Sequence, residues 1–513
     1  MTTTLTDIQT LGQLKTSGYR VLPVKDEMRK NLICMLKRGD DLFPGIIGFE
    51  RTVVPQIQNA ILGRHDMILL GLRGQAKSRI IRMLPSLLDE YAPIIADSEI
   101  NDNPFAPISK YARDLIARMG DETPVAWIHR SERYGEKLAT PDTSIADLIG
   151  DIDPIKAAHH RLTYADEEVI HFGIIPRTNR GIFAINELPD LQPRIQVGLL
   201  NIMEEQDIQI RGFNIRFPLD VMMVFSANPE DYTNRGNIIT PLKDRIDSQI
   251  ITHYPKTVEV GIEITDQEAW QARADGVDSP TVHVPYFFRE IVEQIAFEAR
   301  QSEYVDQKSG VSARMTRAAL EDLISAAERR ALVNGEAETT VRISDLLHVE
   351  PAVTGKVELV YEGEQEGAQN VARLLVGLAV KAIFPRYFPD PSDKRGGREP
   401  FKEIFAWFAQ GNKIRLSPDL SATEYAKRLD VVDGLRAVAT KHLKPGTPAE
   451  TASTMEFVLE ALYQNSLVGK DQLVEEETTY NDIMGSMLSS LGPLDVDEDD
   501  DDFDEDDFYR RYR

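Results

Sequence analysis

Runs of apolar residues alternate with helical patterns over the first part of the chain. Short apolar runs of strand length occupy residues 67–70, 125–128, 181–185 and 221–226. The segments between them carry the three- and four-residue apolar spacing of amphipathic helices. Because strands that alternate with helices usually build a parallel sheet covered on both faces, we expect an α/β core over residues 41–255.

After residue 255 the strand patterns fade and helical patterns dominate. Phe287, Ile291 and Ile295 recur at four-residue spacing, which is typical of one buried helix face. We therefore expect a smaller helical lid after the core. The predicted segments are a leader at 1–40, the core at 41–255, the lid at 256–385, a linker at 386–400, a helical extension at 401–490 and a disordered acidic tail at 491–513.

Charge and composition change this picture mainly at the C-terminal end. The chain has 513 residues and a net charge of −25, but residues 495–507 alone contain eleven acidic side chains. The remainder is moderately acidic, which disfavours nucleic-acid binding. Since no apolar run approaches the length of a membrane helix and no secretory signal is visible, we expect a cytoplasmic location. The acidic tail either docks on a basic partner through its aromatic residues or keeps the protein soluble.

Cysteine and histidine do not indicate a metal site. Cys34 is the only cysteine, and we expect it in a core. His159 and His160 are adjacent, and adjacent positions on a helix do not converge on one ion, so a structural role is expected for both.

Residues 71–78 read Gly-Leu-Arg-Gly-Gln-Ala-Lys-Ser, the phosphate-binding pattern G-x-x-x-x-G-K-[ST] with Ala76 in place of the second glycine. A strand-length run precedes this loop and a helical pattern follows it, so backbone N–H groups and the helix dipole would face a phosphate. Lys77 would reach the β- and γ-phosphates of ATP, and Ser78 would ligate Mg²⁺. The alternative is a chance glycine loop before an amphipathic helix. The residues expected to bind the nucleotide are Gly71, Gly74, Gln75, Ala76, Lys77 and Ser78.

The apolar run at 181–185 ends in two polar residues, Asn186 and Glu187. Nucleotide-hydrolysing proteins place an Asp-Glu pair after such a strand, where the aspartate holds the Mg²⁺ hydration shell and the glutamate polarises the attacking water. Glu187 is therefore the candidate catalytic base, and Asn186 joins Ser78 as a candidate metal residue. Because an amide oxygen brings no charge, we expect weaker Mg²⁺ retention or slower turnover than with aspartate.

Three further candidates follow later in the chain. Asn228 comes after the run at 221–226, where its amide could orient the attacking water; the alternative is an asparagine that starts a turn before proline. Arg245 and Arg314 lie at predicted helix ends. Isolated arginines are usually surface residues, but in this order and spacing they are candidate charge donors to a transferring phosphoryl group.

These motifs together make the chain resemble the AAA+ ATPases. The five elements that occur in the AAA+ order are the loop at 71–78, the pair Asn186 and Glu187, Asn228, Arg245 and Arg314. Within this class the chain is similar to the group of the magnesium chelatase ATPase subunit and the MoxR proteins. The segments that carry this closer resemblance are 76–78, 140–153, 179–181, 228–230 and 244–245.

The resemblance implies an α/β fold: a parallel-sheet P-loop NTPase (AAA+) core with helices on both faces, then an α-helical lid and a helical extension. It implies ATP and Mg²⁺ as cofactors and a ring of subunits, expected to be a hexamer. It also implies that Asn228 is the first sensor, that Arg245 is an arginine finger acting across a subunit interface, and that Arg314 is the second sensor. The alternating pattern at 208–217 around Gly212 predicts a hairpin, which would lie near the central face of the ring; an ordinary solvent-facing hairpin is the alternative.

The chain departs from the chelatase pattern at Asn186 and after residue 400, where a minimal chelatase ATPase subunit has no counterpart. Related AAA+ proteins often act with a partner that carries a von Willebrand factor A domain. We therefore expect an ATP-driven motor that remodels or matures a protein partner. The alternatives are a nucleotide-gated scaffold with little turnover and a DNA-remodelling or transcription-activating ATPase, the latter disfavoured by the acidic charge.

Overall fold

A computed structural model describes residues 5–153, 155, 166–210, 216–228, 236–273, 279–393, 396–472 and 477–483. The described chain forms two compact units. Unit 1 is drawn from residues 1–267, 300–315 and 356–362, and unit 2 from residues 268–299, 316–355 and 363–513. The predicted leader thus belongs to unit 1, whereas the predicted linker and helical extension belong to unit 2. The finer six-part division stays a prediction.

The centre of unit 1 is a five-stranded parallel sheet. Its strands are β1 (Met67–Leu70), β2 (Tyr134–Leu138), β3 (Gly181–Asn186), β4 (Val221–Ala227) and β5 (Ser248–Ile251). They lie in the order β5-β1-β4-β3-β2, and each neighbouring pair is parallel. Because all five strands run the same way, their carboxyl ends meet at one edge of the sheet.

Both faces of this sheet are buried. Successive side chains of a strand point to opposite faces, and Met222 and Met223 of β4 accordingly belong to two different apolar clusters. The helices Val24–Arg38, Val53–Leu62 and Lys77–Met83 cover one face, and Pro193–Glu205 covers the other. The predicted parallel sheet with helices on both faces is confirmed.

One predicted strand lies outside this sheet. Residues Val125–His129 pair antiparallel with Tyr91–Ile95, so the apolar run at 125–128 is a strand but not a member of the central sheet. Its Val125 packs instead against Leu11 and Leu14 of the N-terminal segment. The prediction that this run joins the parallel sheet is therefore wrong, because apolar content alone does not identify the layer that covers a strand.

The remaining elements of unit 1 include two antiparallel strand pairs. Asp207–Gln209 pairs antiparallel with Arg216–Pro218, which confirms the strands of the predicted hairpin, although its tip at 211–215 lies outside the described residues. Gly150–Ile152 pairs with Ile170–Phe172. The other described α-helices in or entering this unit are Leu11–Thr16, Lys110–Met119, Ile145–Leu148, Ile174–Arg177, Thr240–Arg245 and Val258–Glu268.

The prediction that Cys34 is a core residue is wrong. The helix Val24–Arg38 buries Val24, Met28 and Leu32, which lie on one stripe at four-residue spacing. Cys34 lies two residues past Leu32, off that stripe, and is exposed. The positions of His159 and His160 and of the acidic tail lie outside the described residues.

Unit 2 is mainly helical. Its helix Pro448–Gln464 is buried at every position from 451 to 462, and its Phe457 stacks on Phe287 with ring centroids 4.6 Å apart. The other described α-helices are Tyr286–Ala299, Arg314–Asn334 and Tyr361–Glu366 (both of which begin in unit 1), Glu350–Thr354, Ala368–Ile383, Lys402–Ala409, Ala422–Asp430 and Leu435–His442. The strands are Thr281–His283 with Glu338–Thr340, and Ile414–Leu416, Thr478–Asn481 and Gly469–Gln472 in an antiparallel sheet. None of the described helices combines the length and apolarity needed to cross a bilayer.

Candidate functional site

The carboxyl edge of the central sheet brings the predicted motifs together. The phosphate loop, residues 71–76, leaves β1, and Gly71 donates its N–H to the carbonyl of Ala227 at the end of β4 at 3.1 Å. Asn186 is the last residue of the neighbouring β3 and Glu187 follows it. Asn228 follows β4 directly. Motifs that lie far apart in the sequence therefore start from adjacent strand ends.

Glycines at two positions of the phosphate loop are required by close contacts. A Cβ atom on Gly71 would lie 1.9 Å from Thr252 Oγ1, and one on Gly74 would lie 2.2 Å from Ser312 Oγ. Gly74 also has a φ of +77°, which L side chains rarely adopt. The hydroxyl of Thr252 donates to Gln75 Oε1 at 2.6 Å, so the buried Gln75 holds the loop onto the end of β5.

Ala76 adopts the backbone conformation for which glycine is the usual choice. Its φ is +54°, and it immediately precedes the helix Lys77–Met83. A left-handed conformation costs a residue with a Cβ atom about 1–2 kcal/mol. The substitution in the motif therefore leaves the loop geometry intact and stores backbone strain beside Lys77.

Lys77 is buried and its ammonium group turns into the loop. It donates hydrogen bonds to the carbonyl oxygens of Gly71 and Leu72, the latter at 3.0 Å. A buried ammonium group beside left-handed backbone at a helix N-terminus is a suitable site for phosphate oxygens, which are stronger acceptors than carbonyls. Ser78 stands in the first turn of the same helix and is half-buried. These residues fit a bound nucleotide.

Asn186 is held by two side chains that the sequence did not single out. Its amide Nδ2 donates to Glu136 Oε1 on β2, and its Oδ1 accepts a hydrogen bond from Ser226 on β4 at 2.9 Å. The amide is buried. Sequence reasoning missed Glu136 because the strand that carries it, Tyr-Gly-Glu-Lys-Leu, is too polar to be recognised as part of the sheet.

Glu187 adopts a strained conformation at the end of β3. Its φ and ψ are +54° and +51°, the left-handed region, and its N–H lies 3.4 Å from Ser226 Oγ. Such conformations cost non-glycine residues about 1–3 kcal/mol and cluster at functional sites. The turn carries the chain away from the sheet directly at the candidate base, which leaves its side chain half-buried at the edge.

Asn228 is almost fully buried at the same edge of the sheet. It is the first residue after β4, the strand that lies between β1 and β3 in the sheet. The position is therefore suited to a polar contact with a group bound at the phosphate loop. Residues 229 and 230, which contributed to the resemblance, lie outside the described residues.

Arg245 is not brought to the phosphate loop of its own chain. It ends the helix Thr240–Arg245, and its guanidinium group pairs with Glu204 and donates to the carbonyl of Pro241 at 2.9 Å. Its side chain is 28% exposed. The residues at the edge of the sheet and this arginine therefore form two separate groups within unit 1.

Arg314 begins the helix Arg314–Asn334 and is exposed. Its N–H lies 3.2 Å from Ser312 Oγ, and Ser312 and Ala313 pack against Gly74 of the phosphate loop. The start of this helix is thus fixed against the loop within unit 1, and Arg314 directly follows the contact.

The donor set at the edge can be compared with the needs of Mg²⁺. Among the residues that the structure describes, no group of three or more His, Cys, Asp or Glu side chains could hold a metal ion. Mg²⁺ in phosphoryl-transfer sites usually takes one or two protein ligands and completes its shell with phosphate oxygens and water. The hydroxyl of Ser78 and the amide oxygen of Asn186 fit that kind of site.

Comparison with known proteins gives low similarity throughout. No family model matches the chain. Solved structures similar to it include Brucella abortus NtrX with ATP (13% identity, 55% of this chain and 50% of that chain, TM-score 0.34) and Hsp104 with ATPγS and casein (12%, 68% and 55%, 0.38). A third is the complex of subunits BchI and BchD of magnesium chelatase (19%, 63% and 98%, 0.32). The chain spans about half the length of NtrX. Because all three TM-scores are below 0.5, no residue role is transferred from these structures.

The chain's own topology assigns the fold. A phosphate loop connects β1 to the helix Lys77–Met83, and a polar pair ends β3. Asn228 follows β4, which separates β1 from β3 in the order β5-β1-β4-β3-β2. A helical region follows this core. The chain therefore has the parallel-sheet fold with a phosphate loop and helices on both faces that its resemblance to the AAA+ ATPases implies.

Proposed function

We propose that this chain binds ATP with Mg²⁺ and hydrolyses it as an AAA+ ring motor of the magnesium chelatase and MoxR type. The observation that carries the proposal is that the loop before Lys77 and the strand before Glu187 end at the same edge of the sheet. Ala76, which precedes Lys77, and Glu187 itself are both in the left-handed conformation. Left-handed non-glycine residues cluster at functional sites. A chance glycine loop does not explain why the strand-end glutamate is strained as well.

Each residue at the edge has a role in this proposal. Lys77 exchanges its loop carbonyl partners for β- and γ-phosphate oxygens, and Glu187 takes a proton from the attacking water. Asn228 orients that water. Ser78 would ligate Mg²⁺ and Asn186 would accept a hydrogen bond from a water bound to it; the bound ion would neutralise charge on the phosphate oxygens.

The two arginines complete the site from outside the edge. Arg314 would reach the nucleotide as the second sensor, because its helix starts against the phosphate loop. Arg245 would act on the nucleotide of a neighbouring copy, which its separate position in unit 1 allows. A ring of six copies, a cytoplasmic location and a protein partner with a von Willebrand factor A domain are parts of this proposal that rest on the sequence resemblance.

The first test measures ATP turnover and nucleotide affinity of the full chain. Glu187→Gln keeps the size of the side chain and removes the base, so turnover should fall by about 10²–10⁴-fold while ATP affinity is retained. Lys77→Ala should lose ATP affinity. The matched control is Glu205→Gln, an exposed glutamate at the end of the helix Pro193–Glu205, which should behave as wild type. Unchanged turnover in Glu187→Gln contradicts the assigned base.

A nucleotide-gated scaffold is the second candidate function. It is favoured by one observation: the Asn186 amide already bonds Glu136 and Ser226, and it carries no charge for Mg²⁺. Wild-type protein that assembles with ATP but shows no turnover would establish the scaffold and exclude the motor. Salt-sensitive DNA binding would instead favour a DNA-remodelling ATPase.

A further inference from the structure

The end of β3 lacks the usual carboxylate, but a carboxylate from the neighbouring strand reaches it. Strand β2 pairs with β3 in a register that sets Leu138 opposite Asn186 and Glu136 opposite Ala184. Glu136 and Leu138 share one face of β2, because side chains two residues apart in a strand point the same way. That face is the one covered by the helix Lys77–Met83, since Ala184 and Ile80 of this helix belong to the same apolar cluster.

The Glu136 carboxylate receives hydrogen bonds from three residues. Oε1 accepts from Asn186 Nδ2 and from Arg82 Nη2 at 3.0 Å, while Oε2 accepts from Arg82 Nε at 2.8 Å and from the Tyr134 hydroxyl at 3.2 Å. Burial alone would raise the pKa of Glu136, but the hydrogen bonds and charge of Arg82, with hydrogen bonds from Tyr134 and Asn186, lower it below its usual value. The paired guanidinium group of Arg82 thus favours the charged carboxylate.

Arg82 links this carboxylate to the phosphate-loop helix. It lies four residues after Ser78, so the two side chains lie on one face of the helix, one turn apart. The Arg82 side chain is 63% exposed, whereas that of Glu136 is 20% exposed. An exposed guanidinium group loses little by returning to water, so it can give way to another cation.

We infer that Glu136 is a positioning residue for Mg²⁺: it fixes the Asn186 amide with its oxygen toward the strand ends, and it supplies the negative charge that Asn186 lacks. The inference rests on the proposed function, because it concerns the metal that accompanies the nucleotide. The Asn186 amide donates from Nδ2 to Glu136 and accepts from Ser226 at Oδ1. Oδ1 therefore keeps a second lone pair that can accept a hydrogen bond from a metal-bound water. Such outer partners orient the ligand groups of metal sites.

An ordinary surface ion pair between Arg82 and Glu136 is the competing explanation. It does not account for the buried Asn186, which donates its amide hydrogen to the same carboxylate. The two explanations also differ in the expected effect of Arg82. If Glu136 serves the metal, Arg82 competes with the metal for it, and removal of Arg82 should not weaken metal binding. If the ion pair only anchors strand β2, removal of Arg82 should weaken metal binding as much as removal of Glu136 does.

The test measures Mn²⁺ binding to the full-length protein with ADP by electron paramagnetic resonance, which does not depend on turnover. Glu136→Gln keeps the acceptor for Asn186 and removes the charge, and it should weaken Mn²⁺ affinity by about 10–100-fold. Affinity for ADP in EDTA should stay at the wild-type level. Arg82→Gln should bind Mn²⁺ at least as tightly as wild type.

A double variant restores the charge at the usual position. Asn186→Asp combined with Glu136→Gln should recover Mn²⁺ affinity to within about threefold of wild type, because one carboxylate again faces the strand end. Asn186→Asp alone sets two carboxylates side by side, and their repulsion limits the gain in Mn²⁺ affinity. The same substitution made in the Glu136→Gln variant should therefore gain more Mn²⁺ affinity. If Glu136→Gln alone folds poorly, the Mn²⁺ affinity of the double variant relative to wild type still tests the inference.

Two outcomes overturn the inference. One is Mn²⁺ affinity in Glu136→Gln within about twofold of wild type, and the other is an equal weakening by Arg82→Gln and Glu136→Gln. Both leave the proposed function standing, provided that the wild type binds ADP and Mn²⁺. Wild-type protein without any nucleotide affinity would refute the proposed function itself.

Discussion

Replacement of Gly74 by alanine tests whether the phosphate loop is shaped by the segment packed against it. Gly74 has a φ of +77°, and a Cβ atom there would lie 2.2 Å from Ser312 Oγ and 2.9 Å from the backbone nitrogen of Ala313. A serine hydroxyl can rotate away, but the backbone nitrogen cannot. Alanine at this position therefore has to move either the loop or the segment that leads into Arg314.

The loss of stability expected for Gly74→Ala has a backbone part and a contact part. The left-handed backbone costs alanine about 1–2 kcal/mol, and the loss of glycine from the unfolded chain returns about 0.4–1 kcal/mol. The contact adds about 1–3 kcal/mol, as other overpacked sites do. Gly39 is the matched control in unit 1, since its φ is +76° and a Cβ atom there would have no neighbour within 4 Å. Gly39→Ala should thus show the backbone part alone.

Hydrogen exchange of the peptides that cover β1 and its loop measures local stability in unit 1, and fluorescent ADP measures affinity. Gly74→Ala should lose about 2–4 kcal/mol of protection and at least about tenfold in affinity. Gly39→Ala should lose about 1 kcal/mol and keep its affinity. Adding Ser312→Ala should restore only part of the Gly74→Ala loss. Equal losses in the two glycine variants would show that the Ser312 segment does not press on the loop.

Three further outcomes are expected. Ala76→Gly should stabilise the fold by up to about 1 kcal/mol, because removal of about 1–2 kcal/mol of left-handed strain exceeds the roughly 0.4–1 kcal/mol that glycine adds to the unfolded chain. Denaturant unfolding measures this, and a less stable variant would contradict it. Arg245→Ala should lower ATP turnover by about 10³-fold or more without changing ATP affinity, whereas Glu204→Gln should leave turnover unchanged. Steady-state kinetics measures both variants, and equal losses of turnover would show that the ion pair is only structural. Asp345→Ala should cost about 3–5 kcal/mol, because it leaves Arg330 buried without its carboxylate; denaturant unfolding measures this, and a loss below about 1 kcal/mol would refute it.

The central strands were predictable because they are buried on both faces. Such strands are continuous apolar runs, and β1, β3 and β4 were each located from their runs. The outer strands β2 and β5 were missed, since half or more of their positions are polar or exposed. The apolar run at 125–128 was assigned to the wrong sheet for a related reason, because its composition does not reveal which layer covers it.

The sequence by itself determined the phosphate loop, the strand-end pair and their order, because each is a local pattern whose chemistry lies within a few residues. Only the tertiary structure decided the contacts that join distant segments. Glu136 meets Asn186 across 50 residues, and Ser312 meets Gly74 from a far more distant part of the chain. These contacts depend on strand order and register, which emerge only when apolar faces pack and fix which distant side chains become neighbours.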